Sequence, residues 1–144
     1  MIGLLNRIVF ATSLFLGGGA SAETFLLEAE IVNPTAGKGV IRAELHDSSG
    51  TFLSREDVPA FASVVVSVIA SRVLLRFDSV PPGRYAISLY QDLNDNGALD
   101  ANFLRIPAEP YGFSNNGMGR LGPPSFEQAA FEIMTNLKIE IELR

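Results

Sequence analysis

Residues 137–143 read LKIEIEL, and their alternation decides the fold prediction. In an extended chain, the four apolar side chains at the odd-numbered positions lie on one face. Lys138, Glu140 and Glu142 then lie on the other face. A period of two residues with a charged outer face predicts a half-buried β-strand.

The same alternation recurs upstream, and the run 62–70 is rich in β-branched valine, which suits a pleated sheet. No segment has the pattern of a long amphipathic helix. The predicted strands span 25–31, 40–46, 62–70, 72–77, 85–91, 126–134 and 137–143. These seven strands, separated mostly by short turns, predict an all-β fold, a seven-stranded antiparallel β-sandwich. Residues 101–124, rich in Gly, Pro and Asn, form its one long loop.

The first 22 residues have the layout of a secretory signal peptide. Arg7 gives a weakly positive start, residues 8–16 are mostly apolar, and Ala20-Ser21-Ala22 is a small-residue cleavage site. A membrane anchor is the alternative, but the apolar run is shorter than the ~20 residues of a spanning helix. We therefore predict cleavage after Ala22 and export to the periplasm or the medium. The mature chain, residues 23–144, is then a single domain without a membrane span.

Composition narrows the classes of partner and of chemistry. Beyond Ala22 the chain has 10 basic and 16 acidic side chains, a poor match for nucleic acid or an anionic membrane surface. An acidic exported domain is compatible with cation binding. The chain has no cysteine and one histidine, His46, which excludes Cys/His zinc sites and Cys/His catalytic pairs. We expect His46, at the end of a strand, to have a surface or hairpin-end role.

Residues 90–100, YQDLNDNGALD, follow the fifth predicted strand and contain the D-x-N-x-N-G start of a calcium loop. Calcium prefers six to eight oxygen ligands, and the glycine permits a tight turn. The predicted ligands are Asp92, Asn94, Asn96, the carbonyl of Ala98, and Asp100 directly or through water.

Two features separate this stretch from an EF-hand. A strand leads into it, and Phe103 stands where the closing bidentate Glu belongs. A carboxylate from elsewhere, such as Glu109 or Asp47, would have to complete the shell. We predict a weak calcium site with a mainly structural role. The alternative is a polar turn without metal, because Asn and Gly tolerate positive φ and Asn side chains cap the local backbone.

The stretch 110–124, PYGFSNNGMGRLGPP, is the second candidate site. As a recognition surface, Tyr111 and Phe113 would stack on a sugar or peptide, while Asn115 and Asn116 would supply hydrogen bonds. The alternative is a loop that folds back and plugs one end of the sandwich with Phe113. We favour the plug, because aromatic side chains pack more often than they bind.

Four blocks occur in order: GVIRAELHDS, PPGRYAISLYQDLNDNGALD, IPAEPYGFSNN and GPPSFEQAAFEI. Together they resemble the bacterial domain-of-unknown-function family 2141, a group of small exported proteins, over nearly the whole mature chain. The D-x-N-x-N-G-x-L-D and G-F-S-N-N blocks are specific in combination. The resemblance implies a transthyretin-like or immunoglobulin-like β-sandwich, and it implies no function, because a fold alone does not supply one.

The sequence therefore predicts an exported, non-catalytic β-sandwich module of the cell envelope, with a calcium-stabilised loop at one end. Its partner would be an envelope protein or a carbohydrate. The alternative is a carbohydrate-binding or small-ligand-binding protein that uses the 111–116 loop. The third hypothesis is an enzyme with Asp92, Asp100 or Glu109 as acid–base groups.

Overall fold

The computed structural model describes residues 21–54 and 56–144. The predicted signal peptide falls mainly on residues 1–20, which lie outside the described residues. Within the described ranges the chain forms eight β-strands, a 3₁₀ turn at Ser114–Asn116 and one short helix. The strands are β1 Phe25–Val32, β2 Val40–His46, β3 Ala62–Ser67, β4 Arg72–Val80, β5 Gly83–Asp92, β6 Tyr111–Phe113, β7 Phe131–Ile133 and β8 Leu137–Glu142; the helix is α1 Phe126–Ala129.

The strands form two sheets, which confirms the predicted all-β sandwich. The smaller sheet has the order β4-β1-β8, and the larger has the order β3-β2-β5-β6, with β7 also paired to β5. The prediction of a purely antiparallel sandwich is wrong in one pair, because β1 and β8 run parallel, with Ala29 opposite Ile139. The alternation within each strand fixes its buried face, but it does not show which strand lies beside it or in which direction that strand runs.

Two local differences separate the predicted seven strands from the eight in the described residues, and only the second adds a strand. The predicted strand 126–134 begins instead as α1, because Ser125 and Gln128 form a capping box that starts a helical turn. The predicted loop 101–124 contains β6, in which Tyr111 lies opposite Tyr90 of β5. A strand of three residues with a central glycine is too short for its alternation to be read.

The main core lies between the two sheets and consists of alternate residues from the long strands. Leu27 and Ile31 of β1 and Ile41 and Leu45 of β2 are fully buried there. Each such side chain contributes about 1.5–3 kcal/mol by leaving water. This core depends on the period-two pattern that the sequence shows.

A second apolar cluster lies on the outer face of the larger sheet. Ala86 points away from the main core, because its neighbours Tyr85 and Ile87 point into it. Phe52 and Phe113 pack over this face, with ring centroids 6.1 Å apart, and α1 contributes Phe126. The cluster covers only part of the outer face, and the remainder is open.

The two sheets are joined at one edge by the end of the chain. Tyr111 of β6 donates its amide to the carbonyl of Arg144 at 3.1 Å, and Arg144 returns the bond at 3.0 Å. No helix within residues 21–54 and 56–144 has the length and apolar character required to cross a membrane.

Candidate functional site

The calcium-like pattern lies at the end of β5, where Asp92 is fully buried. Its Oδ2 accepts the Nε of Arg42 at 2.7 Å and the amide of Gly97 at 2.8 Å. Its Oδ1 accepts the amide of Asn96 at 3.1 Å. Gly97 has φ 81°, a conformation that glycine adopts without strain, so the turn closes onto Asp92.

Arg42 supplies the positive charge of this loop. It comes from the neighbouring strand β2, and its Nη2 donates to Oδ1 of Asp95 at 2.6 Å. Burial alone would raise the pKa of Asp92, but hydrogen bonds from Arg42, Gly97 and Asn96 outweigh it and leave the pKa below its ordinary value. Asp92 is therefore held as an ion by a protein cation.

Glu109 returns to the loop from the far end of the following segment. The carboxylate is buried, its Oε1 accepts the amide of Leu93 at 2.8 Å, and its Oε2 accepts the amide of Asp100 at 3.0 Å. Both oxygens thus hold the two ends of the loop together through backbone amides.

The remaining predicted ligands bond to one another. Nδ2 of Asn94 donates to Oδ2 of Asp100 at 2.7 Å, and Nδ2 of Asn96 donates to Oδ1 of Asp100 at 3.0 Å. Oδ1 of Asn96 accepts the amide of Ala98 at 3.0 Å. Asp92 lies opposite Val40, the first residue of β2, whereas Asp47 follows His46, the last residue of β2. Asp47 is therefore at the far end of β2 from the loop.

Across the described parts of the chain, no group of three or more His, Asp or Glu side chains is arranged to hold a metal ion. Asp92, Asp100 and Glu109 come together, but each of their carboxylates accepts bonds from protein donors. The geometry favours the alternative of a polar turn, and calcium binding stays a prediction.

A groove crosses the uncovered part of the larger sheet's outer face. Tyr90 and Tyr111 are opposite each other on β5 and β6, and Glu44 is opposite Ser88 on β2 and β5. These residues, with Leu53 and Leu99, line a cavity of about 320 Å³. It adjoins a more apolar section of about 440 Å³, which Leu53, Leu99 and Tyr111 also line.

His46 is buried beside the groove, so the expectation of a surface role is wrong, although the residue does lie at the end of β2. Its Nε2 lies 3.0 Å from the Oγ of Ser88 and 3.6 Å from Oε2 of Glu44, and its Nδ1 lies 3.3 Å from the Oγ1 of Thr51. Burial lowers the pKa of His46, although the charge of Glu44 opposes the shift. Phe52 covers the ring, with centroids 5.4 Å apart, which explains the burial.

The four predicted ligand-binding residues separate into two pairs. Tyr111 lines the groove, and Phe113 borders it while packing in the outer cluster. Asn115 donates to the carbonyl of Ala130 at 2.8 Å, and Oδ1 of Asn116 accepts the amide of Glu142 at 2.8 Å. Both amide side chains therefore bond to the backbone, and neither residue lines the groove.

The sequence reasoning missed Glu44, Ser88 and Tyr90 as groove residues. The alternation along β5 carries the signal that could have found them, because it points Tyr85, Ile87 and Leu89 inward and Ser88 and Tyr90 outward. Which strands stand beside β5, and hence which side chains join Tyr90, required the structure.

Comparison with known proteins gives one match. A family model described as "Uncharacterized protein conserved in bacteria (DUF2141)" matches residues 29–141. No curated protein and no solved structure matches the chain. The matched segment includes the second half of β1, all of β2 to β7 and most of β8. The chain therefore belongs to the DUF2141 family of uncharacterised bacterial proteins.

Proposed function

We propose that this chain is an exported, non-catalytic module of the bacterial cell envelope that binds a carbohydrate in the groove of its larger sheet. The observation that carries the proposal is the pair Tyr90 and Tyr111, which lie opposite each other on β5 and β6 and line the same groove. Both rings are half-buried, so each keeps a face or edge toward the groove.

Sugars present apolar C–H faces and a ring of hydroxyl groups. A tyrosine supplies a large rigid apolar surface with a polar tip, which suits such a ligand. Glu44 and Ser88 stand beside the two rings, and a carboxylate and a hydroxyl both hydrogen-bond to sugar hydroxyls. An aromatic floor with a few polar groups is typical of small-ligand sites.

Ser88 is held in place for such a role by His46. The 3.0 Å contact between Nε2 and Oγ fixes the hydroxyl, because His46 itself is packed under Phe52. A binding group with a fixed orientation loses less entropy when the ligand arrives.

The carboxylates that the acid–base hypothesis would use are bonded into the fold. Asp92 pairs with Arg42, and Glu109 accepts two backbone amides. These contacts support a non-catalytic protein, since a general acid or base needs access to its substrate. The signal-peptide layout of residues 1–22 supports export.

The loop that starts at Asp92 has a structural role in this proposal. Arg42 and Glu109 close it, and it brings Leu99 to the wall of the groove. Calcium would add to this support only if it entered the same set of carboxylates. We infer that protein groups perform the structural task first assigned to the ion.

Binding of soluble oligosaccharides, measured by calorimetry across a panel of cell-envelope fragments, tests the proposal. Tyr111→Ala and Tyr90→Ala should each lower affinity about tenfold or more, because each removes a stacking ring. Tyr90→Phe should retain most of the affinity. Phe61→Ala is the matched control, because this exposed ring packs on Tyr85 and does not line the groove. Absence of binding across the panel, or equal losses in the control, would contradict the proposal.

A further inference from the structure

Two tight turns beside the groove hold apolar side chains out in solvent. The first turn spans residues 102–106, where Phe103 is 92% exposed, Leu104 63% and Ile106 54%. The second spans residues 119–122, where Leu121 is fully exposed. We call these two turns the apolar tips. Large side chains with this exposure on a small domain mark an interaction surface when they are grouped.

Hydrogen bonds fix the backbone of the first tip. Oδ1 of Asn102 accepts the amide of Leu104 at 2.9 Å and the amide of Ile106 at 3.1 Å. The amide of Asn102 donates to the carbonyl of Ile106 at 2.9 Å, and Ala101 bridges to Pro107 behind it. The backbone is thus fixed in a shape that presents Phe103 and Leu104 to solvent.

A backbone hydrogen bond also closes the second tip. The amide of Gly119 donates to the carbonyl of Gly122 at 2.9 Å, which leaves Arg120 and Leu121 at the apex. A Cβ on Gly119 would collide with the carbonyl of Pro123, so the turn depends on glycine. Leu121 at this apex is fully exposed.

The two tips stand side by side. Arg105 and Ile106 of the first and Leu121 and Gly122 of the second line the same cavity of about 440 Å³. They therefore form one surface, with an arginine next to a leucine in each tip: Arg105 beside Leu104, and Arg120 beside Leu121.

The charged side chains on the tips are basic. Residues 102–106 and 119–122 contain Arg105 and Arg120 and no acidic residue, in a chain with 16 acidic residues, while Asp100, Glu109 and Glu127 lie outside the tips. Glu109 is buried, and both of its oxygens accept backbone amides. The acidic balance of the whole chain argues against an anionic partner. Charges act over only about 8–10 Å at physiological salt, so this local balance governs a contact made by the tips.

We propose that the apolar tips dock the protein on an anionic lipid surface. Phe103, Leu104 and Leu121 would enter the boundary between headgroups and acyl chains, and Arg105 and Arg120 would pair with lipid phosphates. Two narrow projections can insert into a deformable surface, whereas a protein partner would need a matching socket for each apex. Docking would hold the groove close to the membrane, which is an interaction separate from carbohydrate binding.

The test is cosedimentation of the chain beginning at Glu23 with lipid vesicles. This chain is the predicted mature form and contains every described strand and both apolar clusters. Vesicles of phosphatidylcholine alone are compared with vesicles that contain roughly 30% phosphatidylglycerol. We expect binding to the anionic vesicles that weakens as salt rises and is several-fold weaker without phosphatidylglycerol.

Three variants locate the contact. Phe103→Ser with Leu121→Ser should lower the partition coefficient about tenfold or more, because two side chains lose their burial in lipid. Arg105→Gln with Arg120→Gln should remove the preference for phosphatidylglycerol. Met134→Ser is the matched control, because Met134 is 66% exposed and belongs to neither tip.

Several outcomes would overturn the proposal. The wild type could fail to bind anionic vesicles at low salt, or the Phe103 and Leu121 double variant could bind as strongly as the wild type. The tips could instead join two copies of the chain, which sedimentation would show as a dimer that the double variant abolishes. If the double variant has a lower melting temperature than the wild type, the vesicle binding of the single variants Phe103→Ser and Leu121→Ser is used instead. Unchanged carbohydrate affinity in all variants would show that docking and groove binding are independent.

Discussion

The Nε of Arg42 on β2 lies 2.7 Å from the Oδ2 of Asp92, a fully buried carboxylate at the end of β5. The same guanidinium reaches Asp95, so one positive charge contacts two carboxylates of the D-x-N-x-N-G loop. A buried carboxylate without a cation or hydrogen bonds would be strongly unfavourable. The arginine thus meets the electrostatic need that a metal ion would otherwise meet.

Replacing Arg42 should make the loop responsive to calcium. In Arg42→Gln, the carboxylates of Asp92 and Asp95 lose their protein cation and repel each other, so we expect a lower melting temperature. Millimolar calcium should then restore part of the loss, because it binds carboxylate and amide oxygens. The wild-type melting temperature should not respond to calcium. Thermal unfolding with calcium, magnesium and chelator measures both effects.

Arg84→Gln is the matched control, since Arg84 pairs with Glu127 outside the loop and should give no calcium response. A clear rise in the wild-type melting temperature with calcium would contradict the inference that Arg42 takes the place of the ion. It would instead support the metal site predicted at Asp92, Asn94, Asn96, Ala98 and Asp100.

Glu109→Gln should loosen the loop without changing its shape. The carboxylate accepts two amides, those of Leu93 and Asp100, whereas a glutamine offers one acceptor oxygen. One amide is left without its partner, and we expect a loss of about 1–3 kcal/mol in the free energy of unfolding. Amide hydrogen exchange should become faster at Leu93 or Asp100. Glu132→Gln, exposed on β7, should change neither quantity, and an unchanged exchange rate in Glu109→Gln would refute the account.

Phe113→Ala separates packing from binding when it is compared with Tyr111→Ala. Phe113 is 6% exposed and packs against Phe52, so its truncation should lower the free energy of unfolding by about 3–5 kcal/mol. Tyr111→Ala should lose less stability, because its ring is half-buried. Chemical denaturation of both variants measures the difference. A stable Phe113→Ala variant with weakened ligand binding would instead favour the recognition surface over the plug.

The sequence predicted the parts of the fold that depend on neighbours along the chain. Leu27, Ala29 and Ile31 are buried as the alternation requires, and the fifth strand ends at the loop predicted to follow it. The parallel pairing of β1 with β8 joins segments more than a hundred residues apart. The edge strand β6 was missed because its three residues are too few to show a period.

The candidate site was also predicted only in part. The sequence named Glu109 as the carboxylate that would return to the loop, and it does lie there, but it bonds to amides. Arg42 was not connected with Asp92, because the contact spans fifty residues and depends on the register of β2 against β5. Side chains that face one groove come from several strands, so their grouping follows from topology and not from spacing.

The pH dependence of stability should report the burial of His46. Burial lowers its folded-state pKa below the ordinary value of 6.5, so the unfolded chain binds the proton more tightly. Stability is therefore greatest above pH 6.5 and falls as the pH drops toward the folded-state pKa of His46. The lowered pKa of Asp92 acts in a separate window, because its stabilising effect is lost only below its ordinary value of 3.8.

Urea unfolding between about pH 5 and 8 measures this dependence. The wild type should lose stability on acidification, and His46→Gln should flatten the curve in that range. Glu44 lies 3.6 Å from Nε2 of His46, so Glu44→Gln should steepen the wild-type slope by removing a charge that favours the protonated ring. A wild-type stability that stays level between pH 7 and 5.5 would mean that folding does not shift the pKa of His46, and one that rises on acidification would mean that His46 is protonated in the fold and paired with Glu44. Either result would refute its burial as a neutral ring.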